Sequence, residues 1–192
     1  GLGDVYKRQS KDNPRVKLFR KLLSSKKARE EHGLFAVEGA RNCVDTAYEA
    51  VCGRIKVHSV FYTQTALTKY KNTLKTDSLF LCTRPEDVFE ISDELAKKMT
   101  DEGNSQGIYM IVFKVDLPFV AEHIDKNGKY LVLDNLQDPG NLGTLLRTAD
   151  AVGVSGVVMT DNCVDLYNPK VVRSAMGSAT RLDLFVVDNF LN

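Results

Sequence analysis

Apolar and polar positions along the chain follow two patterns, one typical of amphipathic helices and the other of short buried strands. A first helix is predicted from Pro14, with Val16, Phe19 and the Leu22-Leu23 pair at helical spacing, until Gly33 breaks the pattern. Strands that alternate with helices form largely parallel sheets covered by helices, so this block predicts an α/β fold. The pattern then predicts strands over residues 34–37, 55–62, 79–82 and 108–113, helices over residues 41–51 and 64–74, and a helical or broken-helical stretch over residues 86–99.

A second block with the same alternation follows a joint that contains Pro118 and the turn pair Asn127-Gly128. The first residues show no periodicity, so they are treated as a tail and left out of the fold prediction. The predicted organisation is a tail, a first domain, a linker and a second domain, over residues 1–12, 13–114, 115–129 and 130–192. In the second domain the pattern predicts strands over residues 130–134, 156–160 and 184–187 and helices over residues 141–152 and 168–176.

The second domain begins with a predicted strand, a tight turn and a helix. Residues 131–133 predict a buried strand that ends in the polar pair Asp134-Asn135, and Asn141 is predicted to cap the helix that follows. Gly153 is predicted to end this helix. The helix would then begin at the carboxyl edge of the sheet, where open α/β sheets bind their ligands. Its apolar positions predict one packed stripe, formed by Leu142, Leu145, Leu146, Ala149 and Val152.

A purely structural role does not explain two residues of this helix, Gly143 and Arg147. Gly143 costs about 1 kcal/mol relative to alanine in a helix, so the sequence predicts that something approaches its backbone closely. Arg147 lies in the N-terminal half of the helix, where a cation gains nothing from the helix dipole. A packing glycine and a surface arginine are the structural alternative, and these two residues alone leave it open. A further helix is predicted to begin at Asn168-Pro169 and to end at Gly177.

Composition and charge narrow the class of protein. Hydrophobic residues make up 43% and charged residues 27% of the chain, which is typical of a folded globular protein. No apolar run approaches the roughly 18 residues of a spanning helix, so no membrane association is expected. The net charge of +1 hides a basic segment, because residues 7–29 hold ten Lys or Arg and one acidic residue. Such a segment indicates a contact with a polyanion, and a solvated helix face is the alternative.

The positions of the cysteines argue against a metal site. Cys43, Cys52, Cys82 and Cys163 are scattered without a C-x-x-C pair, which disfavours both zinc binding and a disulfide framework. Free thiols fit a reducing compartment, and the first residues contain no apolar signal segment, so a cytoplasmic location is expected.

Two stretches of the second domain together match a known family. The first is Asn141-x-Gly143-x-x-x-Arg147-Thr148-Ala149, and the second is Asn168-Pro169-Lys170-x-x-Arg173-Ser174-Ala175-Met176-Gly177. In this order they resemble the first two motifs of the SpoU (TrmH-type) RNA 2′-O-ribose methyltransferases. The first domain also resembles the RNA-binding domain of that family, a small α/β module similar to certain ribosomal proteins, although its matching patterns are less specific. The matching stretches are Ser24-Ser25-Lys26-Lys27-Ala28-Arg29, Phe35-x-Val37-Glu38-Gly39-x-Arg41 and Ser105-Gln106-Gly107.

This resemblance implies a SPOUT-type catalytic domain with a trefoil knot, which binds S-adenosylmethionine and works as a homodimer. It implies methyl transfer to a ribose 2′-hydroxyl in RNA, with ribosomal RNA expected ahead of transfer RNA. Asn141 and Arg147 match the active-site residues of the first motif. The residues that match the second motif, near that site, are Asn168, Arg173, Ser174 and Gly177.

The third motif of the family should follow as a Gly-Asn-Glu-Gly turn and a Ser-Leu-Asn-Val-Ser segment, and the chain ends before it. That motif supplies most of the cofactor pocket. We therefore expect the 192 residues alone to bind S-adenosylmethionine poorly and to be inactive, whereas the full-length parent would bind it. Micromolar binding in a calorimetric titration of the 192 residues would contradict this expectation.

The mechanism implied for Arg147 is electrostatic. A guanidinium is hard to deprotonate, so we expect Arg147 to hold a phosphate or ribose oxygen and to lower the pKa of the hydroxyl, while Asn141 orients the loop. RNA phosphates would be neutralised by the basic segment and one residue of the next helix, which makes RNA affinity depend steeply on salt. The RNA-binding candidates are Lys17, Arg20, Lys21, Lys26, Lys27, Arg29 and Arg41.

Two other functions remain as alternatives. A non-catalytic RNA-binding or ribosome-associated protein could retain this fold, and the reading frame downstream would distinguish it from an enzyme. A Rossmann-type nucleotide enzyme is disfavoured, because residues 138–143 follow a predicted strand but lack the G-x-G-x-x-G spacing.

Overall fold

The structure, a computed structural model, describes residues 13–100, 103–188 and 190. The predicted tail, residues 1–12, lies outside this range. The chain forms two compact units, the first ending at Lys114 and the second beginning at Val115. Both are mixed α/β structures, as the sequence predicts. Within the described part of the chain, no helix combines the length and the apolar character needed to cross a membrane.

The first unit contains six helices and four strands among its described residues. Its helices are α1 (Pro14–Ser24), α2 (Lys26–His32), α3 (Ala40–Val51), α4 (Gln64–Tyr70), α5 (Ser78–Leu81) and α6 (Asp93–Met99). Its strands are β1 (Leu34–Glu38), β2 (Val57–Tyr62), β3 (Val88–Glu90) and β4 (Ile108–Phe113), and a 3-10 turn over Pro85–Asp87 precedes β3.

The sheet of the first unit is mixed, which corrects the prediction of a largely parallel sheet. The strand order is β1-β4-β2-β3, and only β2 and β3 run parallel. The last strand, β4, inserts between β1 and β2 and is antiparallel to both, so that Leu34 lies opposite Phe113 and Tyr62 opposite Ile108. Alternation of strands and helices along a sequence does not fix the direction of a strand that enters the middle of a sheet.

Two elements of the first unit differ in type from the prediction. Residues 79–82 are predicted as a strand, but residues 79–81 belong to α5 and Cys82 follows its end, because a short apolar run fits a helical turn as well as a strand. Residues 86–99, predicted as helical or broken-helical, contain the 3-10 turn, β3 and α6. Ser92 separates β3 from α6, because its side chain accepts a hydrogen bond from the Leu95 amide and caps the helix.

The predicted first helix is two helices that meet at Ser25. Asn13 caps α1 by accepting a hydrogen bond from the Arg15 amide, and the Ser25 side chain caps α2 at the amide of Ala28. Gly33, with φ of +63°, ends α2 in the left-handed conformation. The predicted apolar face of α1 is buried in the core, where the Phe19 ring packs edge-on against Tyr109 at 5.4 Å.

The second unit contains a three-stranded parallel sheet, as predicted, with the order β5-β6-β7. Its strands are β5 (Tyr130–Leu133), β6 (Gly156–Thr160) and β7 (Asp183–Val187), and its helices are α7 (Pro139–Ala151) and α8 (Pro169–Ala179). Leu133 lies opposite Met159, and Thr160 lies opposite Val187, so the carboxyl ends of the three strands meet at one edge.

Three local predictions for the second unit are wrong. The strand predicted as buried is exposed in its middle, where the side chain of Val132 is 57% exposed, since β5 is an edge strand among the described residues. Val152 is not part of the packed stripe but lies 70% exposed beyond the end of α7. The helix predicted to end at Gly177 continues to Ala179. Gly153, by contrast, follows α7 with φ of +70°, as predicted.

Candidate functional site

The carboxyl edge of the β5–β6–β7 sheet is held together by side chains from the ends of β5 and β6. The Thr160 hydroxyl donates to Asp134 Oδ1 at 2.9 Å and accepts a hydrogen bond from the Asn135 amide at 3.3 Å. Asn135 has φ of +52°, a left-handed conformation that asparagine tolerates better than most residues. The loop after β5 therefore turns sharply at the edge of the sheet.

A glutamine fixes the same loop to the loop after β6. Gln137 Nε2 donates to Asn135 Oδ1 at 2.9 Å and to the backbone carbonyl of Asn162. The Val164 amide donates to the Leu136 carbonyl at 2.7 Å, which adds a backbone connection between the two loops. The entry into α7 is thus positioned by contacts to its neighbour along the sheet.

Asp138, and not Asn141, caps α7. Its Oδ1 accepts a hydrogen bond from the Asn141 amide at 2.7 Å, and Pro139 occupies the first helical position. The prediction that Asn141 caps the helix is therefore wrong, because the helix begins two residues earlier. The sequence contained the correct signal, since an Asp followed by Pro is a typical start of a helix.

Asn141 and Arg147 share the exposed side of α7. They lie six residues apart, which places them about 120° apart around the helix axis, with Thr144 between them. All three residues are exposed, whereas Leu142 and Leu146 on the opposite side are fully buried. Asn141 lies in the first turn of α7, whereas Arg147 is the ninth of its 13 residues and so lies in the C-terminal half of the helix, not in the N-terminal half as predicted. Both side chains are accessible to a ligand.

The close approach predicted at Gly143 is made by α8. A Cβ atom added to Gly143 would lie 2.8 Å from Ser174 Cβ and closer still to its hydroxyl oxygen. Ser174 Oγ donates to the carbonyl of Val171 at 3.1 Å, so this side chain is engaged within its own helix. The glycine of the first motif and the serine of the second form the contact that lets α7 and α8 pack tightly.

The other residues of the second motif lie along α8. Asn168 Oδ1 accepts a hydrogen bond from the Lys170 amide at 2.9 Å, and Pro169 is the first helical residue, as predicted. Arg173 is partly exposed in the middle of the helix. Gly177 lies inside the helix, where an added Cβ would meet only the Arg181 guanidinium, at 4.0 Å.

An ion pair that sequence analysis missed connects the ends of α7 and α8. The Arg181 guanidinium donates to both carboxylate oxygens of Asp150, at 3.1 Å from Nε and 2.5 Å from Nη2. These hydrogen bonds hold the pKa of Asp150 below its ordinary value. The two residues lie 31 positions apart, so no local spacing in the sequence indicates the pair.

The predicted RNA-binding cations of the first unit are exposed with one exception. Lys17, Arg20 and Lys21 line the outer side of α1. Three others lie opposite acidic residues one helical turn away, at 3.7–3.8 Å, which reduces the charge that they offer to a phosphate. These pairs are Lys26–Glu30, Lys27–Glu31 and Arg41–Asp45.

Arg29 is the exception, and its assignment as an RNA-binding residue is corrected. Its residue surface is only 5% exposed, and its Nη1 donates to the Leu22 carbonyl at 2.6 Å and to the Leu23 carbonyl at 3.4 Å. It thereby satisfies carbonyl groups at the end of α1. The turn at Ser25 directs this side chain inward, whereas Lys26 and Lys27 stay outside.

No group of three or more His, Cys, Asp or Glu side chains that could hold a metal ion occurs within residues 13–100, 103–188 and 190. All four cysteines, which lie in this range, are free.

Comparisons with known proteins match both units. The profile of the SpoU rRNA Methylase family matches residues 128–192, and that of the MRM3-like substrate binding domain matches residues 13–110. An uncharacterized tRNA/rRNA methyltransferase of Synechocystis is 35% identical over 93% of this chain and 61% of its own length. The mitochondrial rRNA methyltransferase 3 of Xenopus laevis is 31% identical over 97% of this chain and 44% of its own length.

A shorter match with higher identity is the 23S rRNA (guanosine(2553)-2′-O)-methyltransferase of Bacillus subtilis, 56% identical over 50 residues, 26% of this chain and 20% of its own length. Among solved structures, an AdoMet-bound rRNA methyltransferase from Sinorhizobium meliloti superimposes with a TM-score of 0.73 and 29% identity. It covers 95% of this chain and 65% of that one. The chain thus spans about half to two thirds of the length of these longer matches.

Proposed function

Because the chain belongs to the SpoU (TrmH-type) family of RNA methyltransferases, we propose that it is part of an enzyme that methylates a ribose 2′-hydroxyl of ribosomal RNA. The observation that supports this most directly is the exposed side of α7, which carries Asn141 in its first turn, near the carboxyl edge of a parallel sheet, and Arg147 six residues further along the helix. Ribosomal RNA is favoured over transfer RNA because the names of the Xenopus and Bacillus relatives specify rRNA.

The proposed methyl donor is S-adenosylmethionine, which supplies a methyl group bound to a positively charged sulfur. The described residues fit one side of a site for it. Asp134 and Asp161, in the loops after β5 and β6, are exposed at the sheet edge. Their carboxylate oxygens suit a cofactor that carries positive charge and hydrogen-bond donors.

Arg147 is proposed to act on the ribose by charge. A ribose hydroxyl is a poor nucleophile at neutral pH, and a nearby guanidinium favours its partly ionised form by attracting the developing negative charge. The guanidinium itself gives up a proton too reluctantly to serve as a base. Asn141, on the same exposed side, is proposed to orient the ribose or its phosphate.

The proposed activity is tested by methyl transfer from labelled S-adenosylmethionine to ribosomal and transfer RNA, using the complete gene product. A 2′-O-methyl group blocks alkaline cleavage at its nucleotide, so the labelled product should be an alkali-resistant dinucleotide from ribosomal RNA. Label found in transfer RNA alone would show that the substrate is transfer RNA and not ribosomal RNA. RNA binding without any transfer would favour the alternative, a non-catalytic RNA-binding protein, which the exposed basic side of α1 would equally support.

Two finer proposals, a trefoil knot in the catalytic domain and a homodimer, rest on the family resemblance, and a third, a cytoplasmic location, rests on the cysteines. Sedimentation equilibrium of the complete gene product tests the dimer, and a monomer at micromolar concentration would contradict it. Four free cysteines support a reducing compartment. Fractionation tests the location, and recovery in an organelle, as the name of the Xenopus relative suggests for that protein, would contradict it.

A further inference from the structure

A groove in the first unit lies at the end of the sheet where β2 and β3 begin and β4 ends. Its volume of about 650 Å³ falls within the range of roughly 300–1,000 Å³ typical of small-molecule clefts. The start of α1, the turn after α3, the start of β2 and the segment after α5 supply most of its walls. None of the seven cations proposed from the sequence to bind RNA lines this groove.

The groove has a positively charged floor built around one buried carboxylate. Arg15 and Arg84 both form ion pairs with Asp87, and Arg84 Nε donates to Asp87 Oδ2 at 2.9 Å. Because two guanidinium groups share one carboxylate, the cluster keeps a positive charge, and the exposed Lys56 adds another. Glu86 lies 3.5 Å from Arg84, but both side chains are largely exposed, so solvent weakens this pair.

Arg15 is held in place by several contacts. Its Nη1 donates to the hydroxyl of the buried Ser59 at 2.9 Å, and its guanidinium lies 5.2 Å from the centre of the Phe89 ring. His58 Nδ1 lies 2.8 Å from the same hydroxyl. Burial, and secondarily the charge of Arg15, lowers the pKa of His58, so its ring is neutral near pH 7. The floor is therefore fixed before any ligand arrives.

One wall of the groove is an exposed aromatic ring. Phe113 ends β4, and it is 41% exposed although the five preceding residues of that strand are buried. Its ring lies 5.9 Å from that of His58, tilted by 56°. An exposed aromatic ring beside cations is typical of surfaces that stack the bases of single-stranded nucleic acid. Bases inside a duplex are already stacked, so only an unpaired base can use such a ring.

We propose that this groove binds one unpaired nucleotide of the RNA substrate, with its base against Phe113 and its phosphate against Arg84 and Lys56. This inference rests on the proposed function, because it takes RNA as the substrate. An acidic peptide would meet the same cations but would gain little from the aromatic wall, which favours the nucleotide. The groove would then add a contact separate from the basic side of α1.

The aromatic contact is tested by binding of fluorescent RNA to the 192-residue chain. Phe113→Leu keeps an apolar side chain but removes the ring, so it should weaken binding of a single-stranded ribosomal oligonucleotide about five-fold or more. Binding of the same sequence as a duplex should change by less than about two-fold, because its bases cannot stack on the protein. The matched control, Phe119→Leu, removes a ring that is 55% exposed in the second unit and should leave both affinities unchanged.

The phosphate contact is tested by the salt dependence of the same binding. Lys56→Gln leaves both guanidinium partners of Asp87 in place, so the fold should persist, and circular dichroism checks this. The slope of log affinity against log salt should become shallower by about 1, which corresponds to the loss of one phosphate contact. Lys69→Gln, on α4 and outside the groove, serves as the charge-matched control and should leave the slope unchanged.

The outcomes separate this inference from the proposed function. If the chain binds RNA but Phe113→Leu binds the single strand as tightly as the wild type, the groove is not a nucleotide site and the proposed function is unaffected. If the groove variants lose binding of polyglutamate while RNA binding persists, the groove takes an acidic peptide and the inference is wrong. If the wild-type chain binds neither single-stranded nor duplex RNA, both the inference and the RNA-binding role of the first unit fail.

Discussion

Gly143 is the residue whose lack of a side chain does most to shape the candidate site. It lets the Ser174 side chain of α8 lie against the backbone of α7, within a distance that no Cβ atom tolerates. The sequence could predict the close approach, because a glycine inside a helix is costly without a reason. It could not predict the partner, since the two residues lie 31 positions apart and meet only when the helices pack.

Gly143→Ala should therefore destabilise the protein although alanine is the better helix former. The added methyl group overpacks the contact with Ser174, and we expect the free energy of unfolding to fall by about 1–3 kcal/mol in a urea titration. Ser174→Gly combined with Gly143→Ala should recover most of this loss, because it removes the clashing Cβ and hydroxyl. An equal loss in the double variant would show that Ser174 is not the cause.

Arg29 should stabilise the fold of the first unit and should not contact RNA directly. Arg29→Met removes the donor to the Leu22 and Leu23 carbonyls, so we expect unfolding to become easier by about 1–3 kcal/mol. Lys27→Gln, two residues earlier and exposed, is the control and should leave stability unchanged. An Arg29→Met protein of wild-type stability with weakened RNA binding would restore the sequence-based assignment. Arg29 is buried because the chain turns at Ser25, between α1 and α2. The periodicity of the sequence predicts one continuous helix here, so it does not indicate this turn.

At the scale of elements, a buried tyrosine fixes the start of the second unit. The Tyr167 hydroxyl accepts hydrogen bonds from the amides of Val115 and Asp116, at 2.8 and 2.9 Å, and donates to the Asp116 carboxylate. Burial, together with the charge of Asp116, raises the pKa of Tyr167, so the hydroxyl stays protonated and able to donate. The Leu117 amide then donates to the Leu184 carbonyl at 2.7 Å, beside β7.

Tyr167→Phe should destabilise the second unit without changing its shape. The substitution leaves two backbone amides without their acceptor, so we expect a loss of about 1–3 kcal/mol in the free energy of unfolding. Faster hydrogen exchange of the Val115 and Asp116 amides is the specific measurement. The control, Tyr48→Phe, alters a half-exposed tyrosine of the first unit. Unchanged exchange at both amides would show that the hydroxyl does not hold this segment.

Element types were predictable where the pattern was long and failed where it was short. α1, α3 and α7 have several apolar residues at helical spacing, and all three occur near their predicted positions. Residues 79–82 form a single short apolar run that fits a strand as well as a helical turn. Packing within the first unit favours the helical turn, α5. The predicted start of α7 is wrong because Asp138 caps the helix, and the predicted end of α8 is wrong because Gly177 is tolerated inside a helix.

At the scale of the whole molecule, charge should control RNA affinity. Lys17, Arg20 and Lys21 of α1 are exposed, so affinity for RNA should fall steeply as salt rises. Lys17→Gln should make the slope of log affinity against log salt shallower by about 1, because one phosphate contact is lost. The effect should be the same for RNAs of different sequence. Filter binding between low and physiological salt measures this slope, with Lys69→Gln as the control on α4. Salt-independent binding would contradict the electrostatic picture.

The charge asymmetry of the chain was visible in its sequence, but the groove beside Phe113 was not. Arg84 and Asp87 are neighbours in the sequence, but Arg15 on α1 is far from both and meets Asp87 only in the folded unit. Asn141 and Arg147 lie on one helix, so a single sequence motif can contain both of them, and their role stays a prediction. Sites assembled from a single element are thus accessible to sequence analysis, whereas those assembled from several need the fold.

The central proposal is that Arg147 stabilises the negative charge that develops on a ribose oxygen during methyl transfer. Steady-state kinetics of Arg147→Lys in the complete gene product, with ribosomal RNA and labelled S-adenosylmethionine, tests it most directly. We predict that RNA affinity stays close to the wild-type value while turnover falls by roughly 100-fold or more, since a lysine lacks the planar guanidinium geometry. Near-normal turnover by this variant would contradict the proposal.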